Sequence, residues 1–402
     1  MHNLSKIKVF RILLMLTYPL AIVFVYPFVL MKKKNSSGYF FFFDRYVIGG
    51  AQKVHIDILN SIPEIYKQVY FTRYSPDNKL KKEFYSLPQT VCKDIHIWCD
   101  YLLLRLFTVH YYAFYLNRHS NAVVFSSNST FFYDMLFFMS RKIKAVELLH
   151  NFTYGNNGME FFGLANYKYL DYRTVVDGAT RNNIKEQYAQ YNIPASYAGR
   201  IRLIEPGVTV PEETDKDFGL PLKVLYAGRG GAQKRIHLLS EIAEKAIKAE
   251  LPLEFHFAGT MMDELSDYVK EHSVIHGEIS TQDEMYKLYR QSHALLMTSA
   301  YEGFPMLIKE GMANACIPVV TALEGNKMHL KQEVNALLIE HPEDEQNVVS
   351  TGLKHLERLI NNPDELRQLS DDCYKYAKTH FDKAVFTAKY REFLQKEVWN
   401  RS

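Results

Sequence analysis

The feature that most constrains the fold is a strand–loop–helix–strand pattern between residues 293 and 321. Residues 293–298 and 317–321 are short apolar runs of buried-strand length. Between them, Pro305 fits the first position of a helix, where its missing N–H needs no partner. Strands joined through a helix pair in parallel, and parallel sheets bind ligands beyond the carboxyl ends of their strands. The sequence therefore predicts an α/β fold with a ligand site near Glu302 and Pro305.

Two carboxylates, Glu302 and Glu310, bracket the start of this helix. At about 1.5 Å per helical residue they lie roughly 10 Å apart or more. The carboxylate pairs of glycosidases are separated by about 5 to 9.5 Å, so a hydrolytic pair is disfavoured. A nucleotide-diphospho sugar fits better, because it has hydroxyls at both ends and a diphosphate that the helix N-terminus attracts. The alternative is a surface loop with two solvated glutamates.

A second motif is a glycine-rich turn that follows the apolar run 222–227 and carries Gly228, Arg229 and Lys234. It is not a dinucleotide fingerprint, because Gln233 stands in place of the third glycine, and no Lys-Ser/Thr pair follows as in a P-loop. Arg229 offers a fork of donors and Lys234 a compact charge, which suits a leaving diphosphate. The alternative is a solvated basic turn.

Together these motifs resemble the retaining glycosyltransferases of the GT-B fold, family 4 (glycosyl transferases group 1). The resemblance rests on EGFPM and IPVVT around Glu302 and on the turn at 228–234, and it covers nearly everything after residue 38. It implies two Rossmann-like domains with parallel sheets facing a cleft. It also implies that Glu302 meets the sugar, that Glu310 holds the ribose, and that Arg229 and Lys234 bind the diphosphate. The remaining donor-binding residues that it implies are Gly228, Gly277, Ile279, Gly303, Phe304 and Pro305.

The same resemblance points to two positions in the N-terminal half. Gly49 and Gly50 follow the apolar run 38–44 and resemble a Gly-Gly loop that faces the cleft in the family. His150 follows the run 145–149 and resembles a histidine that faces the reacting sugar. The alternative for His150 is a structural role. The glycine-rich, aromatic segment 151–167 is a candidate border of an acceptor site.

Residues 12–31 form a 20-residue stretch without a charge, with basic residues on both sides up to Lys34. Such a stretch can cross a bilayer, and no small-residue cleavage site follows it as in a signal peptide. Pro19 and Pro27 leave a re-entrant or interfacial hairpin open, and a soluble core helix is the alternative. Residues 1–205 carry 25 Lys and Arg against 14 Asp and Glu, whereas residues 206–402 carry 23 against 31. This basic half favours an anionic membrane surface, and its spread-out charge argues against nucleic acid.

These patterns predict an α/β protein, and the family resemblance implies the GT-B class with the following domains. Residues 1–37 are expected to be a membrane anchor, 38–205 an acceptor-side domain joined by a helix at about 383–402, 206–220 a linker, and 221–382 the donor-binding domain.

The predicted function is a membrane-associated, retaining, metal-independent hexosyltransferase of bacterial cell-envelope polysaccharide biosynthesis. It would use a nucleotide sugar such as a UDP- or GDP-sugar and a saccharide or lipid-linked acceptor at the cytoplasmic face of the membrane. No cofactor or metal is expected, since the family-matching segments contain no Asp-x-Asp motif. The alternatives are a GT-B sugar-nucleotide epimerase and a non-catalytic sugar-nucleotide-binding membrane protein.

Overall fold

The protein is built on two separate sheets, and every strand pair in both is parallel. The structure is a computed structural model that describes residues 2–32, 38–47, 49–119, 121–153, 158–279 and 281–399. Unit 1 comprises Met1–Glu205 and Thr387–Ser402, and unit 2 comprises Pro206–Phe386. Each unit holds one sheet, which confirms the predicted α/β class with two Rossmann-like domains.

Unit 1 begins with two helices and continues as strands that alternate mostly with helices. Its strand order is β3-β2-β1-β4-β5-β6-β7, so the direction of winding reverses between β1 and β4. Short 3-10 helices lie at Tyr167–Tyr169 and Ala195–Arg200. The elements are α1 (His2–Phe24), α2 (Tyr26–Leu30), β1 (Tyr39–Phe43), α3 (Gly50–Asn60), β2 (Lys67–Phe71), α4 (Lys81–Tyr85), β3 (Thr90–Asp94), α5 (His96–Asp100), α6 (Leu102–Asn117), β4 (Val123–Ser127), α7 (Thr130–Leu136), β5 (Lys144–Leu149), α8 (Met159–Ala165), β6 (Tyr172–Val175), α9 (Gly178–Gln190) and β7 (Ile201–Leu203).

The central strand of unit 1, β1, shows why this sheet needs cover on both faces. All five of its residues are aromatic and buried, so the strand lacks the polar–apolar alternation of a half-exposed sheet. Phe40 and Phe42 join the core that contains side chains of α6 and α7. Phe43 stacks on the ring of His55 in α3, with ring centroids 4.1 Å apart.

Unit 2 repeats the same architecture with six strands. Its strand order is β10-β9-β8-β11-β12-β13, and the winding reverses between β8 and β11. The final helix begins in unit 2, ends in unit 1 and continues as a π-helical segment, Phe393–Trp399. The elements are β8 (Leu222–Ala227), α10 (Ile236–Lys248), β9 (Leu253–Ala258), α11 (Asp267–Glu271), β10 (Val274–Gly277), α12 (Gln282–Gln291), β11 (Ala294–Met297), α13 (Met306–Ala313), β12 (Ile317–Thr321), α14 (Glu324–Lys327), β13 (Leu337–Ile339), α15 (Glu345–Asn361), α16 (Pro363–His380) and α17 (Lys383–Glu392).

The apolar N-terminal stretch is helical and belongs to unit 1. Within the described residues, one helical segment, Ser5–Phe24, is long and apolar enough to cross a membrane by length and composition. Leu14 and Ala21 are nevertheless buried in the core of unit 1. Lys33 and Lys34, part of the predicted basic flank, lie outside the described residues.

Candidate active site

The candidate donor site lies where the winding of the unit 2 sheet reverses. β8 and β11 are neighbours in the sheet, although the chain passes through β9 and β10 between them. The loops 228–235 and 298–305 therefore leave the same edge of the sheet side by side. Ligands of open parallel sheets usually bind at this position.

A salt bridge joins these two loops. Lys234 donates through Nζ to Oε1 of Glu302, and the two side chains are 20% and 13% exposed. The backbones are joined as well, because Ala300 N donates to Gln233 O at 2.8 Å and Gln233 Nε2 donates to Tyr301 O at 2.8 Å. The two sequence motifs thus form one site.

Arg235, which neither sequence motif singles out, hydrogen-bonds to the loop that follows β11. Its guanidinium donates to the carbonyl oxygens of Thr298 at 2.7 Å, Ser299 at 3.2 Å and Pro342 at 2.6 Å. The residue is 7% exposed, and burial lowers the pKa of its guanidinium. Its backbone is left-handed, with φ of 51°, immediately before α10. Arg235 therefore fixes the start of α10 against the end of β11.

Close backbone approaches connect the predicted glycines. A Cβ on Gly325 would lie 1.6 Å from the carbonyl oxygen of Gly303, so no side chain fits there. Likewise, a Cβ on Gly259 would lie 1.9 Å from the oxygen of Gly228. Gly259 N also donates to Gly277 O at 2.7 Å. Gly228 and Gly277 are thus linked through Gly259 at the carboxyl ends of β8, β9 and β10.

Arg229 lies at the exposed side of the glycine-rich turn. Its Nε is 3.1 Å from the sulfur of Met261, and its carbonyl accepts a hydrogen bond from Tyr226 Oη at 3.3 Å. Burial, followed by the negative charge of Glu302, raises the pKa of Tyr226. The phenol therefore stays protonated and holds the turn, while the Arg229 side chain faces solvent.

Glu310 is held by a tyrosine on the preceding helix. Tyr289 Oη donates to Glu310 Oε2 at 2.9 Å, and burial, followed by the Glu310 charge, raises the pKa of Tyr289. Ile279 packs beside the same hydrophobic cluster that contains Tyr289. Glu310 is thus bonded to a tyrosine of the cluster against which Ile279, another predicted donor-binding residue, packs.

Phe304 and Pro305 form the turn into α13. The Phe304 ring packs within unit 2, with its centroid 4.5 Å from that of His329 and 5.4 Å from that of Phe381. Its side chain thus contributes packing. Pro305 has ψ of 138° and caps the helix, which begins at Met306, one residue later than predicted.

In unit 1, His150 pairs with a second histidine that sequence reasoning missed. The Nε2 atoms of His150 and His55 are 3.0 Å apart. His55 is fully buried, and burial, followed by the proximity of His150, lowers its pKa; burial lowers the pKa of His150 to about 4. Both rings are therefore neutral near pH 7.

The tautomers of this pair follow from its surroundings. Within the described residues, His55 Nδ1 is buried without a hydrogen-bond partner. A buried unpaired N–H is costly, so the proton of His55 is favoured on Nε2, from which it is donated to His150. His150 then carries its own proton on Nδ1 and is a neutral hydrogen-bond donor.

The predicted Gly49–Gly50 loop precedes α3, the helix that carries His55. Gly49 is extended, with φ of 172°, and Gly50 is the first helical residue. A Cβ on Gly50 would meet nothing within 4 Å, so local space does not require glycine there. Residue 48 of this loop and residues 154–157 of the predicted acceptor border lie outside the described residues.

No group of three or more His, Cys, Asp and Glu side chains that could hold a metal ion occurs in the described part of the chain.

Residues 212–380 match the family model described as glycosyl transferases group 1. This match contains every donor-site loop described above. Unit 2 is a group 1 glycosyltransferase domain. No curated protein sequence is significantly similar to this chain.

Solved structures show that the chain has the GT-B fold. The lipopolysaccharide outer core galactosyltransferase WaaB, in its apo form, is 18% identical with a TM-score of 0.64, covering 89% of this chain and 99% of its own. HepE of Anabaena, in complex with UDP and glucose, is 15% identical with a TM-score of 0.64 and the same coverage. A glycosyltransferase from Rickettsia africae is 14% identical with a TM-score of 0.66, covering 90% of this chain and 100% of its own.

Proposed function

We propose that this protein transfers a hexosyl unit from a nucleotide-diphospho sugar to a saccharide or lipid-linked acceptor, with retention of anomeric configuration and without a metal ion. The observation that carries this proposal is the Lys234–Glu302 salt bridge, which joins the two loops at the reversal point of a group 1 glycosyltransferase domain. HepE, a structural relative, was solved with UDP and glucose, which supports a donor of this class.

In this proposal the leaving diphosphate is held by Arg229 and Lys234. Both can approach an anion, since Arg229 is exposed and Lys234 is partly exposed. The free N–H groups at the start of α13, after Gly303, Phe304 and Pro305, add a third source of positive potential. Stabilising the negative charge as it develops on the phosphates lowers the barrier to sugar transfer.

The two carboxylates orient opposite ends of the donor. Glu302 accepts hydrogen bonds from sugar hydroxyls, and Glu310, fixed by Tyr289, accepts them from the ribose. The turn from Gly277 to Ile279 borders the base, and the backbone at Gly228 borders the diphosphate.

In unit 1, His150 would donate a hydrogen bond from Nδ1 to a sugar, and the Gly49–Gly50 loop would border that sugar. The neutral His150–His55 pair supports this proposal. Because neither ring is charged near pH 7, His150 positions the sugar by a hydrogen bond and does not act as an acid at that pH.

The protein is further proposed to work in bacterial cell-envelope polysaccharide assembly at the cytoplasmic face of the membrane. The apolar Ser5–Phe24 helix and the basic charge of residues 1–205 support membrane association. The acceptor would be reached at that surface.

The test is a turnover assay with UDP-, GDP- and ADP-sugars and candidate saccharide acceptors, with products followed by proton NMR. The proposal expects a new glycosidic bond whose anomeric configuration matches that of the donor, formed equally well with and without EDTA. An epimerised sugar nucleotide without transfer would support the epimerase, and an inverted product would exclude the retaining mechanism. A rate that EDTA abolishes and Mn²⁺ restores would exclude metal independence.

A non-catalytic nucleotide-sugar-binding protein predicts something different. It would bind the donor without turnover, and Glu302→Gln would leave its biological role intact. Loss of that role in a well-folded Glu302→Gln variant would therefore favour the enzyme.

A further inference from the structure

The N-terminal helices lie along unit 1 and do not project from it. Their inward side chains recur every three to four residues, at Leu14, Tyr18, Ala21, Val25 and Val29, which is the spacing of one helix face. Three of them, at positions 14, 21 and 29, are at most 1% exposed. They belong to the same core cluster as side chains of α6 and α7.

Polar contacts hold this packing at both ends of the apolar stretch. Arg11 Nη2 donates to Asn166 Oδ1 at 2.7 Å, and Arg118 Nη1 donates to the carbonyl of Lys32 at 2.7 Å. Between these ends, α1 and α2 pack against α6. The protein therefore covers one side of the stretch along its whole length.

The opposite side of α1 and α2 is apolar and exposed. Leu16 is 68% exposed and Met31 is 82% exposed, and no charged residue lies between positions 12 and 31. A helix that is apolar on all sides needs apolar surroundings on all sides, and the protein surrounds only one side of this helix. The exposed apolar residues are Val9, Ile12, Leu13, Met15, Leu16, Leu20, Ile22, Val23, Phe24, Tyr26, Phe28, Leu30 and Met31.

A second exposed apolar element stands at the junction of α5 and α6. Trp98 is 55% exposed, and Leu103 is 72% exposed. This junction adjoins the start of α1, because the Arg105 guanidinium lies 5.7 Å from the centroid of the Phe10 ring. We call the exposed apolar side of α1 and α2, together with residues 97–103, the membrane face.

We propose that the membrane face lies in the surface of an anionic lipid bilayer, with α1 parallel to the membrane plane. A spanning helix must be surrounded within the bilayer over about 30 Å, whereas one side of α1 packs against α6 and α8 of unit 1. Trp98 and Tyr101 fit this placement, since such side chains favour the membrane–water interface.

The basic residues at the two ends of the apolar stretch favour an anionic lipid surface as the partner of the membrane face. Lys6, Lys8 and Lys32 are exposed at the two ends of the apolar stretch, where lipid phosphates would meet them. A second copy of the chain would bring equally basic ends together, which is unfavourable. This inference rests on the proposed membrane association and specifies how it is achieved.

The orientation of α1 is tested with two single variants of the full chain, Ser5→Cys and Lys32→Cys. Sealed inside-out vesicles from the expressing cells are treated with a membrane-impermeant maleimide before and after detergent, with the unsubstituted chain as background. An in-plane helix has both ends on one side, so both cysteines react to the same extent. One cysteine that reacts only after detergent would show a spanning helix and overturn the proposal.

The membrane face itself is tested by flotation of purified full-length protein with phosphatidylglycerol–phosphatidylcholine liposomes. Val23→Glu, at a position 63% exposed, is expected to lower the bound fraction by about tenfold or more, since a charge is costly within lipid. Val334→Glu in unit 2, at a position 52% exposed, is the matched control and is expected to change nothing. Equal effects of the two variants, or wild-type protein that self-associates and does not float, would overturn the proposal.

Tryptophan quenching gives an independent readout, because the chain has two tryptophans, at positions 98 and 399. Lipids brominated in their acyl chains are expected to quench the wild-type protein but not Trp98→Phe, whose remaining tryptophan, Trp399, is outside the membrane face as defined and stacks on Tyr39. Quenching that persists in Trp98→Phe contradicts the assignment. Nucleoside diphosphate binding by Val23→Glu separates the two proposals, since it stays at the wild-type level if only membrane binding is lost.

Discussion

The ammonium group of Lys234 donates a hydrogen bond to the carboxylate of Glu302, and this contact joins the loop after β8 to the loop after β11. Without a donor, the two charges neutralise each other. A bound diphosphate would compete for Lys234 and release Glu302 to accept hydrogen bonds from the sugar. Under the proposed function, the salt bridge would hold both groups in position before the donor arrives.

Substitutions that remove or exchange these two charges distinguish a structural role of the salt bridge from a functional one. Lys234→Met and Glu302→Gln each leave one part-buried charge unpaired, so each is expected to lower the free energy of unfolding by about 1–2 kcal/mol, between the values for exposed and buried pairs. Each is also expected to lower the transfer rate by about 100-fold or more, as the loss of an electrostatic contact to the reacting donor does.

The double variant Lys234→Glu, Glu302→Lys restores the opposite pairing. We expect it to recover most of the stability, measured by urea unfolding, while activity stays low because the diphosphate now faces a carboxylate. Recovered activity in this variant would show that the pair is only structural.

Arg235 gives a second prediction. Arg235→Met removes the hydrogen bonds to three backbone carbonyls and is expected to cost about 2–4 kcal/mol of unfolding free energy, because two of the carbonyls belong to the buried residues Thr298 and Ser299. Arg235→Lys keeps the charge but lacks the forked donors and is expected to recover only part of this loss. Guanidinium unfolding of both variants measures the difference, and equal stability of Arg235→Lys and wild type would contradict the clamp.

A third prediction concerns the close approach of Gly325 to the carbonyl oxygen of Gly303. Gly325→Ala places a Cβ against a carbonyl oxygen, so the loop that carries Glu302 must shift, at a cost of about 1–3 kcal/mol. We expect weaker donor binding as well as lower stability. Gly199→Ala is the control, since a Cβ there meets nothing within 4 Å. Unchanged donor affinity in Gly325→Ala would show that this approach does not position Glu302.

The histidine pair makes stability depend on pH. Burial lowers the pKa of His150 from 6.5 to about 4, so the unfolded chain binds this proton at a higher pH than the folded protein does. The contribution of His150 to the unfolding free energy is present above about pH 6.5 and is lost as the pH falls towards about 4. The lowered pKa of His55 acts with the same sign.

Urea unfolding near pH 7 and pH 5 measures this dependence. We expect His150→Asn to lose less stability over this interval than wild type does. An NMR titration that places the pKa of His150 near its usual value would contradict the buried, neutral pair.

The candidate donor site of unit 2 could be predicted from the sequence because each of its motifs is local. The apolar run 222–227 coincides with β8, and the apolar run 317–321 coincides with β12. The turn at 228–234 and the carboxylates of the next motif could be identified because each motif is continuous in sequence.

Other features depend on contacts that are distant in sequence. The Arg235 clamp reaches Pro342, and the space at Gly325 is set by Gly303, so neither shows as a pattern. His55 lies 95 residues from His150, and only the sheet and α3 bring them together. In the sequence, residues 12–31 show only as a charge-free stretch. The periodic burial of one side of this stretch results from its packing against α6, which is distant in sequence.

Donor recognition by the Lys234 turn is the central claim, and isothermal titration of UDP and GDP tests it most directly. Wild-type protein is expected to bind one of them, and Lys234→Met to bind it at least about tenfold more weakly, the loss of one charge-assisted contact. Lys245→Met, which removes an exposed lysine paired with Glu241 on α10, is the matched control and is expected to bind as wild type does. Equal affinity of Lys234→Met and Lys245→Met would contradict the account.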